Sequence, residues 1–303
     1  MALGVLSAAR RGHPGLFWLA AALGVLAVVA AVGVVVDDRV LLGAPVWLKP
    51  LKFALSFGLY ALALAWMLGA LDRGRRTGRA VGWVLVVASA LEVGVIALQA
   101  GRGRRSHFNE ETALDGSLYS LMGATVALIW LATAVVAVLL LRQRLDDIAL
   151  RWGIRLGLVV SLLGMALGML MVGGGAHAVG VADGGPGVPF FGWSTVGGDL
   201  RVGHFVGLHA LQVLPLLAAG LAALGWPPGR RRRAVWVAAA GYVGLVALLT
   251  WQALRGQALV APDGPTLLAL AVLVVGVGVA GWVAVRRPER PVAPTSEREE
   301  VLR

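Results

Sequence analysis

Cysteine is absent from this 303-residue chain, which excludes disulfides, thiolate metal sites and cysteine nucleophiles and leaves His, Asp and Glu to hold any metal. Charge is scarce: 14% of residues are charged and 58% hydrophobic, with a mean hydropathy of +0.81. A soluble domain of this length cannot hide that much apolar surface, so the chain reads as an integral membrane protein. Lysine is nearly missing, with Lys49 and Lys52 the only two, and Asn109 is the single asparagine. The abundance of Ala, Gly, Val, Leu and Arg fits a GC-rich coding bias. The net charge of +11 does not indicate nucleic acid, because the arginines fall in short clusters between apolar runs rather than along one face.

Eight stretches reach the roughly 20 apolar residues that a helix needs to cross the hydrocarbon core: 15–36, 51–70, 80–100, 117–141, 152–173, 203–225, 234–254 and 265–285. The fold expected is an all-α polytopic transmembrane bundle. The first run is as long as a full span and lacks a small-residue cleavage site, so it reads as a signal anchor rather than a removable peptide. With the N-terminus inside, Arg10, Arg11, Arg73, Arg75, Arg76, Arg79, Arg142, Arg144, Arg151 and Arg230 to Arg233 all fall on one side. The positive-inside rule makes that side cytoplasmic and places both termini there. The expected location is a bacterial cytoplasmic membrane.

The chain also repeats itself. Leu51-Lys52 with Gly58-Leu59-Tyr60-Ala61-Leu62 returns as Leu200-Arg201 with Gly207-Leu208-His209-Ala210-Leu211. Gln99-Ala100, Arg102-Gly103 and Asp115-Gly116 return as Gln252-Ala253, Arg255-Gly256 and Asp263-Gly264. Two parallel four-helix copies follow, at 15–141 and 152–285, flanked by a cytoplasmic segment 1–14 and a Pro/Glu/Arg-rich tail at 286–303 that reads as disordered. Where the copies differ, function is expected.

The longer loops, at 37–50, 101–116 and 174–202, all lie on the outer side and hold most of the unusual residues, so the working face is expected there. Lys52 and Arg201 open the second helix of each copy, while Arg102 and Arg255 end the third, giving a pseudo-symmetric set of four cations suited to phosphate or carboxylate. Snorkelling to lipid headgroups is the competing explanation. Asp199 and His204 stand beside Arg201.

Glu92 lies within the third span, where an acid costs on the order of 2.5–3.5 kcal/mol to insert and must face a partner. The second copy has Leu245 or Val246 there. His209 occupies the place of Tyr60, and Gln212 follows one turn later. Glu92, His209 and Tyr60 are expected to share one layer, as a proton relay, a general base or half of a metal site, or as a purely structural hydrogen-bonded set. His204 and His209, five residues apart, lie 140° apart around a helix and make a weak two-His metal motif. His107 and His177 belong to outer loops. The glycine- and proline-rich loop from Gly173 to Gly203 is expected to fold over the bundle, and it lacks the βαβ context of a phosphate loop. Gly164 and Gly168 have the spacing of close helix contact.

Trp47 through Lys49-Pro50 to Lys52-Phe53, with Ser106-His107-Phe108-Asn109, Gly192-Trp193-Ser194, Gly197-Gly198-Asp199-Leu200-Arg201, His204-Phe205 and Leu208-His209, resembles an uncharacterised family of bacterial polytopic membrane proteins commonest in actinobacteria. The resemblance implies location and no reaction, cofactor or catalytic residue. Three functions remain: binding or transport of an anionic small molecule or lipid headgroup, a membrane-embedded redox or metal (haem or His-ligated) enzyme, and a structural subunit of a membrane complex. The apolar cytoplasmic halves of the helices weigh against a full translocation path.

Overall fold

The computed structural model describes residues 2–288; the tail beyond Pro288, expected to be disordered, lies outside the described residues. Eight helices are long and apolar enough to cross a membrane: α2 (Pro14–Val36), α3 (Leu48–Leu68), α4 (Arg75–Gly101), α5 (Ala113–Arg142), α6 with α7 (Ile148–Ala166 and Gly168–Gly174), α8 (Leu200–Ala223), α9 (Pro228–Leu254) and α10 (Gly264–Arg286). Each overlaps one of the apolar stretches seen in the sequence, α3 and α8 stopping two residues short of the ends of theirs. Several run further, because helix geometry continues past the hydrocarbon limit wherever Arg and other good helix formers carry it. The segment before the first span is also helical: α1 (Ala2–Gly12) packs against α3, with Gly12 set against the backbone of Ala65 and Gly69. The only strands among the described residues are two-residue pairs, β1 (Val40–Leu41) with β2 (Ala44–Pro45) and β3 (Ala178–Val179) with β4 (Gly198–Asp199).

The helices carry apolar residues on the outside. Val25, Val28 and Val32 of α2 and Leu268, Val272, Val275 and Val279 of α10 are exposed at helical spacing, a surface suited to lipid rather than water. The main packed core, with Leu64, Met67, Leu85, Val136, Ile154, Leu158 and Leu211, joins α3, α4, α5, α6 and α8 toward the arginine-rich end. Because lipid offers no hydrophobic drive, close van der Waals contact must hold such helices together. The α6–α8 crossing uses glycine for this: a Cβ on Gly164 would strike the backbone of Gly207, and one on Gly157 would meet the Ala210 carbonyl at 2.8 Å.

Helix neighbours follow one order in both halves. In the first, α2 packs on α3, α3 on α4, α4 on α5 and α2 on α4; in the second, α6 packs on α8, α8 on α9, α9 on α10 and α6 on α9. The halves meet through α5–α6 and α3–α8.

Candidate functional site

At the loop-rich end, each half ties its third spanning helix to its fourth. Gln99 donates to Asp115 at 2.9 Å and to the Arg105 carbonyl, while Arg102 bonds Asp115 at 2.7 Å and also Gln99. Thr112 caps α5 and Asp115, three residues later, bonds back to its hydroxyl. In the other half Gln252 donates to the Ala258 carbonyl, Arg255 bonds Asp263 and Thr266, and Asp263 caps α10 with Thr266 three residues on. The capping residues have exchanged places, Thr-then-Asp in one half and Asp-then-Thr in the other; each cap accepts from the amide three residues on, but Thr112 also donates to Asp115, whereas Thr266 donates its hydroxyl to Gln257.

The predicted set of four cations therefore divides. Arg102 and Arg255 are neutralised by Asp115 and Asp263 and serve to join helices. Arg201 is likewise paired, at 2.5 Å, with Asp199, the N-cap of α8. Among the described residues Lys52 has no carboxylate partner.

Lys49, one turn before Lys52, was outside the predicted set and belongs to the same mouth. Its ammonium lies 3.1 Å from His107 Nδ1 and over the Phe53 ring, while Lys52 donates to the Phe191 carbonyl at 2.8 Å. Among the described residues neither lysine has an ion-pair partner. Arg201, Glu92, Lys52 and Asp183 are the charged groups acting on Lys49, and Glu92 is not within pairing distance of it. A usable sequence signal was that both lysines of an arginine-rich chain stand in one turn.

Three imidazoles gather beside Lys49. His107 and His177 have ring centroids 6.4 Å apart, and His204 is near enough to act on both. Their tautomers follow from their partners. An ammonium can only donate, so His107 Nδ1 accepts; a carbonyl can only accept, so His204 donates from Nδ1 to Gly164 at 2.8 Å. His177 Nδ1 donates to Asp183 at 2.8 Å. Burial, reinforced by the Lys49 ammonium, holds His107 well below the usual imidazole range, and burial outweighs Asp183 in lowering His177. Burial opposes ionisation of Asp183 as well, but the His177 side chain and the amides of His177 and Ala178 outweigh it and keep the carboxylate charged. The contact is thus a neutral imidazole donating to a carboxylate.

The glycine-rich loop covers this mouth, as its composition suggested. Adjacent carbonyls in one turn are gripped from both halves: Lys52 of α3 holds Phe191, and Arg201 of α8 holds Gly192 at 2.6 Å. Phe191 and Trp193 stack at 4.3 Å and both meet Phe205. Phe108 and Phe190, beside His107 and Phe191, have φ of 50° and 65°, a left-handed conformation that bulky residues adopt at a cost of about 1 kcal/mol or more.

The expected layer of Glu92, His209 and Tyr60 is not formed. Glu92 is buried and accepts from Thr125 at 2.8 Å, whereas Tyr60 meets Thr133 at 2.5 Å. These threonines are eight residues apart on α5, about 12 Å along the axis. His209 packs on Phe205 at 4.4 Å with Gln212 as its neighbouring polar side chain, and its Nε2 and Gln212 Oε1 are buried without a close hydrogen-bond partner among the described residues. Mouth residues were located from helix order, but depth depends on tilt, which a residue count does not contain.

No group of three or more His, Asp or Glu among the described residues is arranged to hold a metal ion, and His204 and His209 diverge as their spacing required. Lys49 beside the imidazoles also disfavours a cation by charge. Scans against protein-family models, curated proteins and solved structures each return no match.

Proposed function

We propose that this multi-pass membrane protein binds an anionic small molecule or lipid headgroup at its outer mouth, with Lys49 and Lys52 as the anion-binding groups, His107 donating from Nε2, and His177 and His204 left to accept from hydroxyls of the ligand through theirs. One observation carries the reading: the two lysines of the chain stand together, half-buried, with only neutral acceptors. Two such cations with no ion-pair partner among the described residues favour a bound anion, since partly desolvated like charges repel until one arrives. The arginines at the opposite end support a cytoplasmic placement for that end and for the start of the chain. The matching helix neighbours and the two capping clamps support descent from a duplicated four-helix unit.

Binding is favoured over transport by the apolar core beneath the mouth, where Leu64, Met67, Leu158 and Leu211 are almost wholly buried and give a solute no polar path. The test is ligand-induced stabilisation of the detergent-purified protein by inorganic phosphate, glycerol phosphate, citrate and acidic phospholipid. At saturation an anion should add about 2–3 kcal/mol at a hundred times its Kd and raise the melting temperature by several degrees. Lys49→Gln with Lys52→Gln should abolish the rise. An equal rise in wild type and variant would sink the proposal.

A further inference from the structure

The opposite end of the bundle contains a separate cavity of about 720 Å³, between the α5–α6 connection, the start of α9 and the end of α10. Its charged lining is Arg231, Arg232, Arg233 and Arg287 against Asp146 and Asp147. Asp147 is already committed: it caps α6 through the amides of Ala149 and Leu150 and pairs with Arg231 at 2.6 Å. Arg233 is held by the carbonyls of Ala284 and Arg287, which fixes the end of α10 against α9. Arg232 and Arg287 are exposed. The lining also includes Pro228 and Gly229, the first residues of α9, whose N-cap Pro227 makes no side-chain capping bond. With Arg233 set aside, Arg231, Arg232 and Arg287 still outnumber Asp146 and Asp147 in the lining, and they stand beside the positive end of a 27-residue helix; both favour a multiply charged oxyanion.

Its depth indicates where such an anion would come from. Trp152, Trp226 and Trp282 surround this end, each with an arginine over its ring: Arg155 at 5.3 Å, Arg230 at 5.8 Å and Arg286 at 4.9 Å. Tryptophan collects at the headgroup level of a bilayer, and basic pockets between spanning helices at that level take lipid phosphates.

We infer that this arginine-lined cavity binds a phosphate group, presented by the headgroup of an acidic phospholipid. The site is independent of the outer mouth. Native mass spectrometry of the full chain in mixed micelles of phosphatidylglycerol or phosphatidylcholine tests it, with inorganic phosphate as a second probe. Phosphatidylglycerol should give a discrete adduct that phosphatidylcholine does not. Arg232→Gln with Arg287→Gln should weaken it roughly tenfold or more, at about 1 kcal/mol per arginine. Arg73→Gln with Arg76→Gln removes the same charge elsewhere on this end and should leave it intact. Binding of inorganic phosphate that excludes the lipid adduct and disappears in the cavity variant would retain the phosphate site and assign it to free phosphate. An adduct equally weakened in both double variants, unchanged in the cavity variant, or absent with both probes would overturn the inference. Melting of each variant is measured in parallel, and Arg232→Gln alone, at an exposed position, replaces the double variant if that one does not fold.

Discussion

The two halves agree where they hold themselves together and differ where they present charge. The clamp of Gln99, Arg102, Asp115 and Thr112 and that of Gln252, Arg255, Asp263 and Thr266 do the same work with two residue types exchanged. The mouths of α3 and α8 do not correspond in this way: one offers two lysines with no ion-pair partner among the described residues, the other an arginine paired with the N-cap of its helix. The shared pattern of the two clamps therefore marks architecture here. Under the proposed function, the unmatched lysines are the residues left to bind an anion.

Substitutions in the clamps probe that comparison most sharply. Asp115 has no accessible surface, covered by its own partners at the edge of the bundle, whereas Asp263 is 36% exposed. Asp115→Ala leaves Arg102, Gln99 and Thr112 without their common acceptor and should give the largest loss, with a melting temperature lower on the order of 5 °C or more. Asp263→Ala should cost about half as much, since water replaces part of what is lost. Equal losses in thermal unfolding would show that the clamps do not differ in this way.

Next in size is the α6–α8 crossing. Gly164→Ala forces a methyl into the backbone of Gly207 and should destabilise by about 1–3 kcal/mol. Gly94→Ala, which meets nothing within 4 Å, should be neutral or stabilise slightly through helix propensity. Chemical denaturation of the two variants separates packing from propensity.

A smaller effect should follow pH at the mouth. His107 and His177 are held below the imidazole range in the folded chain, so above about pH 6.5 both folded and unfolded states are neutral there and their contribution is fully present. As pH falls below that value, the unfolded chain takes up protons more readily and stability declines. Asp183, held low, adds its own loss only as acidity passes through and below the ordinary carboxyl range. Trp193 fluorescence should report loosening of the loop below about pH 6.5, and His107→Gln with His177→Gln should flatten that part of the curve. An unchanged curve in the double variant would remove the histidines from the account.

The eight spans were legible because lipid demands long apolar runs, and the clamps were legible as a repeated spacing. The mouth was only partly legible. Lys52, Arg201, Asp199 and His204 were found from their helix-end positions and His107 from its outer loop, but which cations were already neutralised depended on partners such as Asp115 and Asp263 across a loop. The supposed meeting of Glu92, Tyr60 and His209 failed because each found a nearer neighbour: Thr125, Thr133 and Phe205. Lys49 was passed over because the repeat alignment places Gly198 opposite it.

The grip on Phe191 and Gly192 has a mechanical implication. Two neighbouring peptide oxygens are tethered to opposite halves, so any change in the spacing of α3 and α8 pulls on a single dipeptide. A guest that draws Lys52 to itself unhooks one tether and leaves the other fastened, so that the turn at Phe191 and Gly192 is then gripped by the second half alone.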